Sequence, residues 1–460
     1  MFFRSKKKKK CQAQLNLQNN YNLYFQQFKM QLYDIFLNHP IITTDSRVCP
    51  AGSIFFALKG DNFNANAFAL SALENGSAYA VVDEAQYAIE DRFILVDDVL
   101  ESLQSLARYH SQQLATNIIG ITGTNGKTTT KELISAALKE EFNVLYTQGN
   151  LNNHIGVPLT VLQLKPEHDI AVIEMGANHI GDIQELAEIA CPNYGIITNV
   201  GKAHLEGFGS FEGVMQTKAE LYTYISQFGE LVFINKANEF LQEMADDSDI
   251  EFKREYSLDK KDANSNYYGE IISCSPFLSM KIRLSDADTI EVNTNLIGSY
   301  NAENVLAAAT IAYYFGVPAV KIKKGLENYT PQNNRSQLSI TDNNKLVVDA
   351  YNANPTSMQA AILNFAQMEV NNKTLILGDM LELGEQSDME HQNIIALLKE
   401  FKFENVYLVG SEFNKCKDSF VCYPQVNDLI GHFQTQPIND NYILIKGSRG
   451  IQLEKIIPYL

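Results

Sequence analysis

An α/β fold built on doubly wound, mostly parallel sheets is predicted by two observations. Short apolar runs with the length of buried strands alternate with helical stretches through most of the chain. A glycine-rich turn, Gly120-Ile-Thr-Gly-Thr-Asn-Gly-Lys-Thr-Thr-Thr130, joins the apolar end Ile118-Ile119 to a segment of helical apolar spacing, Lys131–Leu138. At 460 residues the chain exceeds the size at which one core keeps growing, so several domains are expected.

Residues 1–29 read as a disordered extension. Arg4 and Lys6 to Lys10 give it six positive charges, and Gln12 to Gln27 is polar and rich in Asn and Gln. No apolar segment follows the lysines, so this is not a secretory signal. The run reads either as a tether to acidic surfaces or as a solvated tail. Met30, just before the first globular-looking pattern, is placed to serve as an initiator. A net charge of −17 argues against a nucleic-acid-binding surface. No apolar run approaches the ~20 residues of a membrane span, so no membrane insertion is expected. Six scattered cysteines without C-x-x-C spacing fit free thiols in a reducing cytoplasm.

A first domain is expected at 30–113, with Thr44-Asp-Ser-Arg47, Gly52–Gly60 and a strand at 78–82. A second, at 114–330, opens with the glycine-rich turn and carries strands at 170–174, 194–199 and 230–235. Residues 250–297 hold shorter strand-like pieces and polar turns, which suggest an antiparallel annex. A helix over 302–315 should stop at Gly316, with Pro318 just beyond. The third domain, 331–460, has buried-strand candidates at 346–349, 374–378, 405–410 and 442–446, a second doubly wound unit.

Strand, glycine-rich turn and helix form the context of a phosphate-binding loop. Gly123 and Gly126 let successive N–H groups turn toward an anion, and the helix N-terminus adds positive potential. Lys127 can reach terminal phosphates, and the Thr128 hydroxyl can ligate Mg2+. Ile121 stands where the strict phosphate-loop pattern has glycine, so the loop is a variant. A bland strand–helix connection is the competing reading, and Gly-Lys-Thr-Thr in this setting favours a nucleoside triphosphate. Polar residues that end apolar strands lie at the carboxyl edge, where open α/β sheets bind ligands. Glu174 is therefore suited to join Thr128 in holding Mg2+, although a strand-end acid can be ordinary. His204 follows another strand and is either a structural histidine or a ligand of a second cation. Lys218, on a helix, would by default be a solvated surface lysine.

Taken in order, these segments resemble the Mur ligases of peptidoglycan synthesis. The resemblance covers about residues 31–460 and includes Gly123-Thr-Asn-Gly-Lys-Thr-Thr129, Glu174-Met-Gly-Ala-Asn178 and Asn199-Val-Gly-Lys-Ala-His-Leu-Glu-Gly-Phe-Gly-Ser210. It continues in Tyr351-Asn-Ala-Asn-Pro-Thr-Ser-Met358 and Gly378-Asp-Met-Leu-Glu-Leu-Gly384, which look like the branch that attaches D-alanyl-D-alanine to UDP-N-acetylmuramoyl-tripeptide. The family implies three domains: an N-terminal one for the UDP substrate, a central ATPase-type parallel sheet and a Rossmann-like C-terminal one. It implies ATP and two Mg2+ ions as cofactors, the tripeptide and dipeptide as partners, and a cytoplasmic monomer.

Residue by residue, the resemblance implies that Gly123, Thr124, Asn125, Gly126, Lys127, Thr128 and Thr129 hold the ATP phosphates. Thr128 and Glu174 would hold one Mg2+, and His204 with a carbamylated Lys218 the second. Asn301 and Asn304 match adenine-side asparagines. Arg335 and Asp349 look like the phosphate-contacting arginine and ribose-contacting aspartate. Asn150, Asn153, Asn352 and Asn354 match positions facing the acceptor substrates, and Ser46, Arg47 and Lys59 are candidates for the uridine end. Two segments depart from the family pattern. Asn334 precedes Arg335 where many relatives have glycine, and Asn62–Phe68 lacks the usual Gly-His. Lys127, His204, Lys218 and Arg335 are the expected catalytic set. A sister ligase with another amino acid or a folate-type substrate, and a catalytically dead nucleotide-binding regulator, are the alternatives.

Overall fold

The computed structural model describes residues 31–203, 205–265, 267–332, 335–418 and 420–460. The extension expected at 1–29, Met30 and His204 lie outside the described residues. The chain divides into two compact units.

The first unit holds the described residues up to Thr116, together with Gln148–Pro166 and Glu188–Cys191. Its four-stranded sheet runs in the order Ile42–Thr43, Ile54–Phe56, Tyr79–Val82, Phe93–Leu95, all parallel. Such a sheet needs apolar residues on both faces, and Ile54, Phe55, Phe56, Ala80, Val81 and Val82 are all fully buried. The helix Val99–Gln112 begins where the Asp98 carboxylate accepts from Glu101 N at 2.8 Å, satisfying an otherwise unpaired first-turn donor.

The second unit contains Asn117–Thr147, Glu167–Ala187 and Pro192–Leu460. A nine-stranded sheet runs Thr289–Ile297, Phe277–Arg283, Tyr267–Cys274, Lys253–Ser257, Leu231–Asn235, Tyr194–Ile197, Asn117–Thr122, Ile170–Glu174, Val144–Tyr146. From Tyr267–Cys274 to Val144–Tyr146 every pairing is parallel. The last two strands at the other edge are antiparallel, as expected of the 250–297 annex, whereas its Lys253–Ser257 strand pairs in parallel with both neighbours and joins the annex to the main sheet. Fully buried strands such as Ile170–Glu174 and Leu231–Asn235 need cover on both faces.

One cover is the helix Ala302–Tyr314, whose alanines let neighbouring elements approach closely. Ala302, Ala307, Ala308, Ala309 and Ala312 are all buried against the same core as Leu133, Ile134 and Ala137 of the helix Lys127–Leu138. The helix stops as expected: Gly316 takes φ +88° and its N–H bonds Tyr313 O at 3.0 Å. The remaining sheet has six strands in the order Gln337–Ile340, Lys345–Asp349, Tyr442–Lys446, Lys373–Gly378, Asn405–Val409, Val421–Tyr423. All are parallel except the Gln337–Ile340 edge. Separate apolar clusters cover its two faces, as a doubly wound sheet requires.

Among the described residues no helix is long and apolar enough to cross a membrane. Cys49, Cys191, Cys274, Cys416 and Cys422 are free thiols.

Candidate active site

The strand Asn117–Thr122 ends in a turn that only glycine permits at two points. Gly123 has φ +142°, and a Cβ there would lie 2.0 Å from Thr198 Oγ1. Gly126 has φ +77° and would meet Asn304 Oδ1 at 2.7 Å. A second loop holds this turn in shape. Thr124 N donates to Asn199 O and Asn125 N to Asn199 Oδ1, both at 2.9 Å. Thr198 Oγ1 donates to Asn125 O at 2.6 Å, and Gly201 N to Thr124 Oγ1 at 3.0 Å. The helix Lys127–Leu138 then begins with first-turn N–H groups that have no partner within the helix. This is an anion cradle at a helix N-terminus.

Lys127 lies over that cradle, half-buried, with Nζ donating to Gly123 O at 2.6 Å and Thr124 O at 3.1 Å. Burial pulls it down to about 8; the Glu174 carboxylate acts the other way, and the Arg335 guanidinium adds to the fall. Behind it, Thr128 and Glu174 meet: Thr128 Oγ1 donates to Glu174 Oε1 at 3.1 Å, and both side chains are buried. Two oxygens adjacent on a Mg2+ octahedron of 2.0–2.1 Å bonds are about 3 Å apart. The pair therefore suits a shared Mg2+ in donor type and spacing. Among the described residues no group of three or more His, Cys, Asp or Glu could form a metal site by itself. A cation held here would take its remaining ligands from phosphate and water.

Lys218 lies on the helix Phe211–Phe228 and is 3% exposed, not the solvated residue its sequence setting suggests by default. Its Nζ is 5.3 Å from the centre of the Phe208 ring. Burial, with repulsion from Lys127, brings it down to about 7 against the pull of Glu220 and Asp182. A lysine at that value is substantially unprotonated near neutrality.

Asn304, in the first turn of the helix Ala302–Tyr314, packs against Gly126 and Thr130, and Asn301 supports it. Thr130 Oγ1 donates to Asn304 Oδ1 at 3.0 Å, Asn304 Nδ2 to Asn301 Oδ1 at 2.9 Å, and Asn301 Nδ2 to Ile297 O at 2.8 Å. Thr129 is half-buried on the first helical turn. Arg335 stacks on Tyr351, its guanidinium carbon 3.7 Å from the ring centre. Asp349 accepts from Lys446 Nζ at 2.6 Å and from Ser336 N at 3.2 Å.

Asn352 turns its Oδ1 onto Ala353 N at 2.9 Å. Asn354 caps the helix Pro355–Gln367 by accepting from Ser357 N at 2.9 Å, and its Nδ2 donates to Asn125 Oδ1 at 2.8 Å. Its side chain is thus engaged with the phosphate loop and its own helix.

The other predicted residues belong to the first unit. Arg47 is paired with Asp45 by Nε and Nη2 contacts of 2.9 and 2.7 Å, which hold the Asp45 carboxyl at about 2. Lys59 contacts Asp83 Oδ1 at 2.8 Å and Glu84 Oε1 at 3.0 Å, and these bonds raise its pKa. The Ser46 carbonyl accepts from Asn75 Nδ2 at 2.8 Å. Asn153 Oδ1 accepts from Gly156 N at 2.9 Å at the start of the helix Gly156–Val161, while Asn150 is exposed.

Sequence reasoning missed three residues of this neighbourhood. Asn199 shapes the turn, and Lys446 neutralises Asp349. Lys131 is fully buried beside Glu174. A signal for the last was available: it stands three residues after Thr128, on the same helix face.

Comparison with known proteins agrees with this geometry. The Mur ligase middle domain model matches residues 121–312, and the model described as Mur ligase, glutamate ligase domain matches residues 334–449. The UDP-N-acetylmuramoyl-tripeptide–D-alanyl-D-alanine ligase of Bacillus subtilis (strain 168) is 33% identical over 451 residues, covering 91% of this chain and 92% of that one. Its namesake in Escherichia coli (strain K12) is 33% identical over 430 residues, covering 91% and 93%. A crystal structure of MurF from Acinetobacter baumannii has a TM-score of 0.80 at 30% identity, covering 91% and 92%. The MurF ligase of Thermotoga maritima in complex with ADP shares the fold, with a TM-score of 0.79 at 24% identity over 91% and 96% of the two chains.

Proposed function

We propose, because this chain belongs to the Mur ligase family, that it joins D-alanyl-D-alanine to UDP-N-acetylmuramoyl-tripeptide at the expense of ATP. In this reaction the tripeptide carboxylate attacks the γ-phosphorus and ADP leaves, giving an acyl phosphate. The dipeptide amine then attacks the acyl carbon, loses a proton, and inorganic phosphate departs with the acyl C–O bond electrons. The observation that carries the reading is the meeting of Thr128 and Glu174 directly behind Lys127, at the mouth of a preformed anion cradle.

The residues divide the work. The turn 123–126 and the first amides of its helix receive the phosphates, and Lys127 exchanges the carbonyls of Gly123 and Thr124 for phosphate oxygen. Mg2+ neutralises charge on the transferring group when bound, and Thr128 and Glu174 would hold it. Arg335 adds positive potential that already reaches Lys127. His204 and a carbamate on Lys218 form the second cation position in this reading. The lowered Lys218 pKa supports it, since only a neutral amine adds CO2. Asn301 and Asn304 serve the adenine side and Asp349 the ribose. Asn150, Asn153, Asn352 and Asn354 serve the acceptor substrates, and Ser46, Arg47 and Lys59 the uridine end. The domain division 30–113, 114–330 and 331–460 assigns these tasks to UDP-substrate binding, ATP binding and ligation in a cytoplasmic monomer.

Phosphate release from ATP, measured with UDP-muramoyl-tripeptide and a panel of amino acids and dipeptides, tests the proposal. Turnover that depends on D-alanyl-D-alanine is expected. Preference for a single amino acid would assign the chain to a sister reaction, and no release with any acceptor would overturn the ligase reading.

A further inference from the structure

Lys131 is fully buried on the helix Lys127–Leu138, yet it is not a member of the loop that precedes it. A buried ammonium is costly unless paired and hydrogen-bonded. One structural explanation is at hand, because Nζ donates to Thr147 O at 2.6 Å. That bond alone does not account for the rest of the surroundings. Nζ also lies 3.8 Å from Glu174 Oε2, the carboxylate oxygen opposite the one Thr128 contacts. The same Thr147 receives the Glu174 backbone N–H on its Oγ1 at 2.9 Å. Thr147 thus anchors the Glu174 main chain, and the Lys131 side chain lies within ion-pair range of Glu174 Oε2, as it does of Glu132 Oε1 at 3.7 Å, while Glu174 Oε1 meets Thr128.

We propose that Lys131 is a positioning residue for the cation pair: it holds Glu174 so that Oε1 and the Thr128 hydroxyl stay together as Mg2+ donors. The inference rests on the reading of Thr128 and Glu174 as the Mg2+ pair. Partners that orient a metal-binding carboxylate change metal affinity by about 10- to 100-fold when removed. A merely structural lysine would change melting temperature without changing how nucleotide affinity depends on Mg2+. Spacing supports the distinction, since Thr128 and Lys131 lie three residues apart on one helix face, the one bonded to Glu174 Oε1 and the other within ion-pair range of Oε2.

The test is calorimetric titration of the full chain with ADP, in excess Mg2+ and in EDTA, for wild type, Lys131→Met, Glu174→Gln and the double variant. In EDTA the affinities should agree. In Mg2+, Lys131→Met and Glu174→Gln should each bind ADP about tenfold or more weakly than wild type. The double variant should be no worse than Glu174→Gln alone, because Lys131 acts through that carboxylate. If Lys131→Met does not fold, Lys131→Gln, which keeps a donor toward Thr147 but no charge, is read in its place. An unchanged Mg2+ dependence in the Lys131 variant beside a loss in Glu174→Gln overturns the inference and spares the site reading. Unchanged dependence in Glu174→Gln itself overturns the site reading. Losses that multiply in the double variant assign Lys131 an independent role and also overturn the inference.

Discussion

Asn354 Nδ2 donates to Asn125 Oδ1 across 2.8 Å, so the cap of the helix Pro355–Gln367 also touches the phosphate loop. Two substitutions separate these tasks. Asn354→Asp retains a good cap acceptor but has no amide donor for Asn125. It is expected to melt near wild type while nucleotide KM rises. Asn354→Ala loses both bonds and should in addition cost about 1 kcal/mol of stability. Thermal melts beside steady-state kinetics distinguish the two, and equal KM values in all three proteins would detach Asn354 from the loop.

Lys127→Ala should abolish ligation without unfolding the chain, since the side chain rests on loop carbonyls at the cradle rather than in an apolar core. Losing a charge that stabilises the transferring phosphoryl group costs about 3 kcal/mol or more, roughly 10²-fold in rate. Circular dichroism should be unchanged. Wild-type turnover would remove this loop from the chemistry.

Lys218 carries a stability cost that depends on pH. Its pKa is about 7 in the folded chain against an ordinary 10.5, so the unfolded chain holds more protons between those values. Stability therefore rises with pH through that window, and the cost is fully present below 7. Lys218→Met should melt higher than wild type at pH 6, with the gap closing toward pH 10, yet be nearly inactive. A melting temperature below wild type at pH 6 would contradict the burial argument. If the lysine works as a carbamate, a short-chain carboxylic acid in the buffer should restore part of the activity of Lys218→Ala.

Gly410 stands at φ +128° against Asp379, and a Cβ there would fall 2.2 Å from the carboxylate carbon. That carboxylate accepts from Glu412 N at 2.9 Å and Phe413 N at 2.8 Å, closing the start of the helix Ser411–Cys416. Gly410→Ala should cost on the order of 2 kcal/mol or more in urea unfolding, through strain and displacement of this cap. Activity in the cold should survive. A variant as stable as wild type would show that the turn can relax.

The parts of the site readable from sequence were those fixed by neighbours along the chain. The turn at 123–126, the strand ending in Glu174 and the helix stop at Gly316 all follow from local spacing and backbone sterics. Partners distant in sequence were not readable. Nothing near Asn354 tells that its amide meets Asn125, and Asp349 does not reveal that Lys446, on a neighbouring strand, neutralises it. The parallel pairing of Lys253–Ser257 inside the expected antiparallel annex was not readable, because sheet membership is decided by edge pairing, which a strand's own residues do not encode. Lys131 was hidden by its charge, since lysine on a helix is normally solvent-facing.

The hydrogen bond from Thr130 to Asn304 spans 174 residues, and that from Asn354 to Asn125 spans 229. Translation delivers the turn 123–126 first and its supports much later. A ribosome-bound chain has the glycines and Lys127 well before it has Asn304 to wall off Gly126, or Asn354 to meet Asn125. The loop therefore gains its supports in stages, and a chain truncated before Gln337 carries the turn with Asn199 and Asn304 but without the Asn354 amide that meets Asn125.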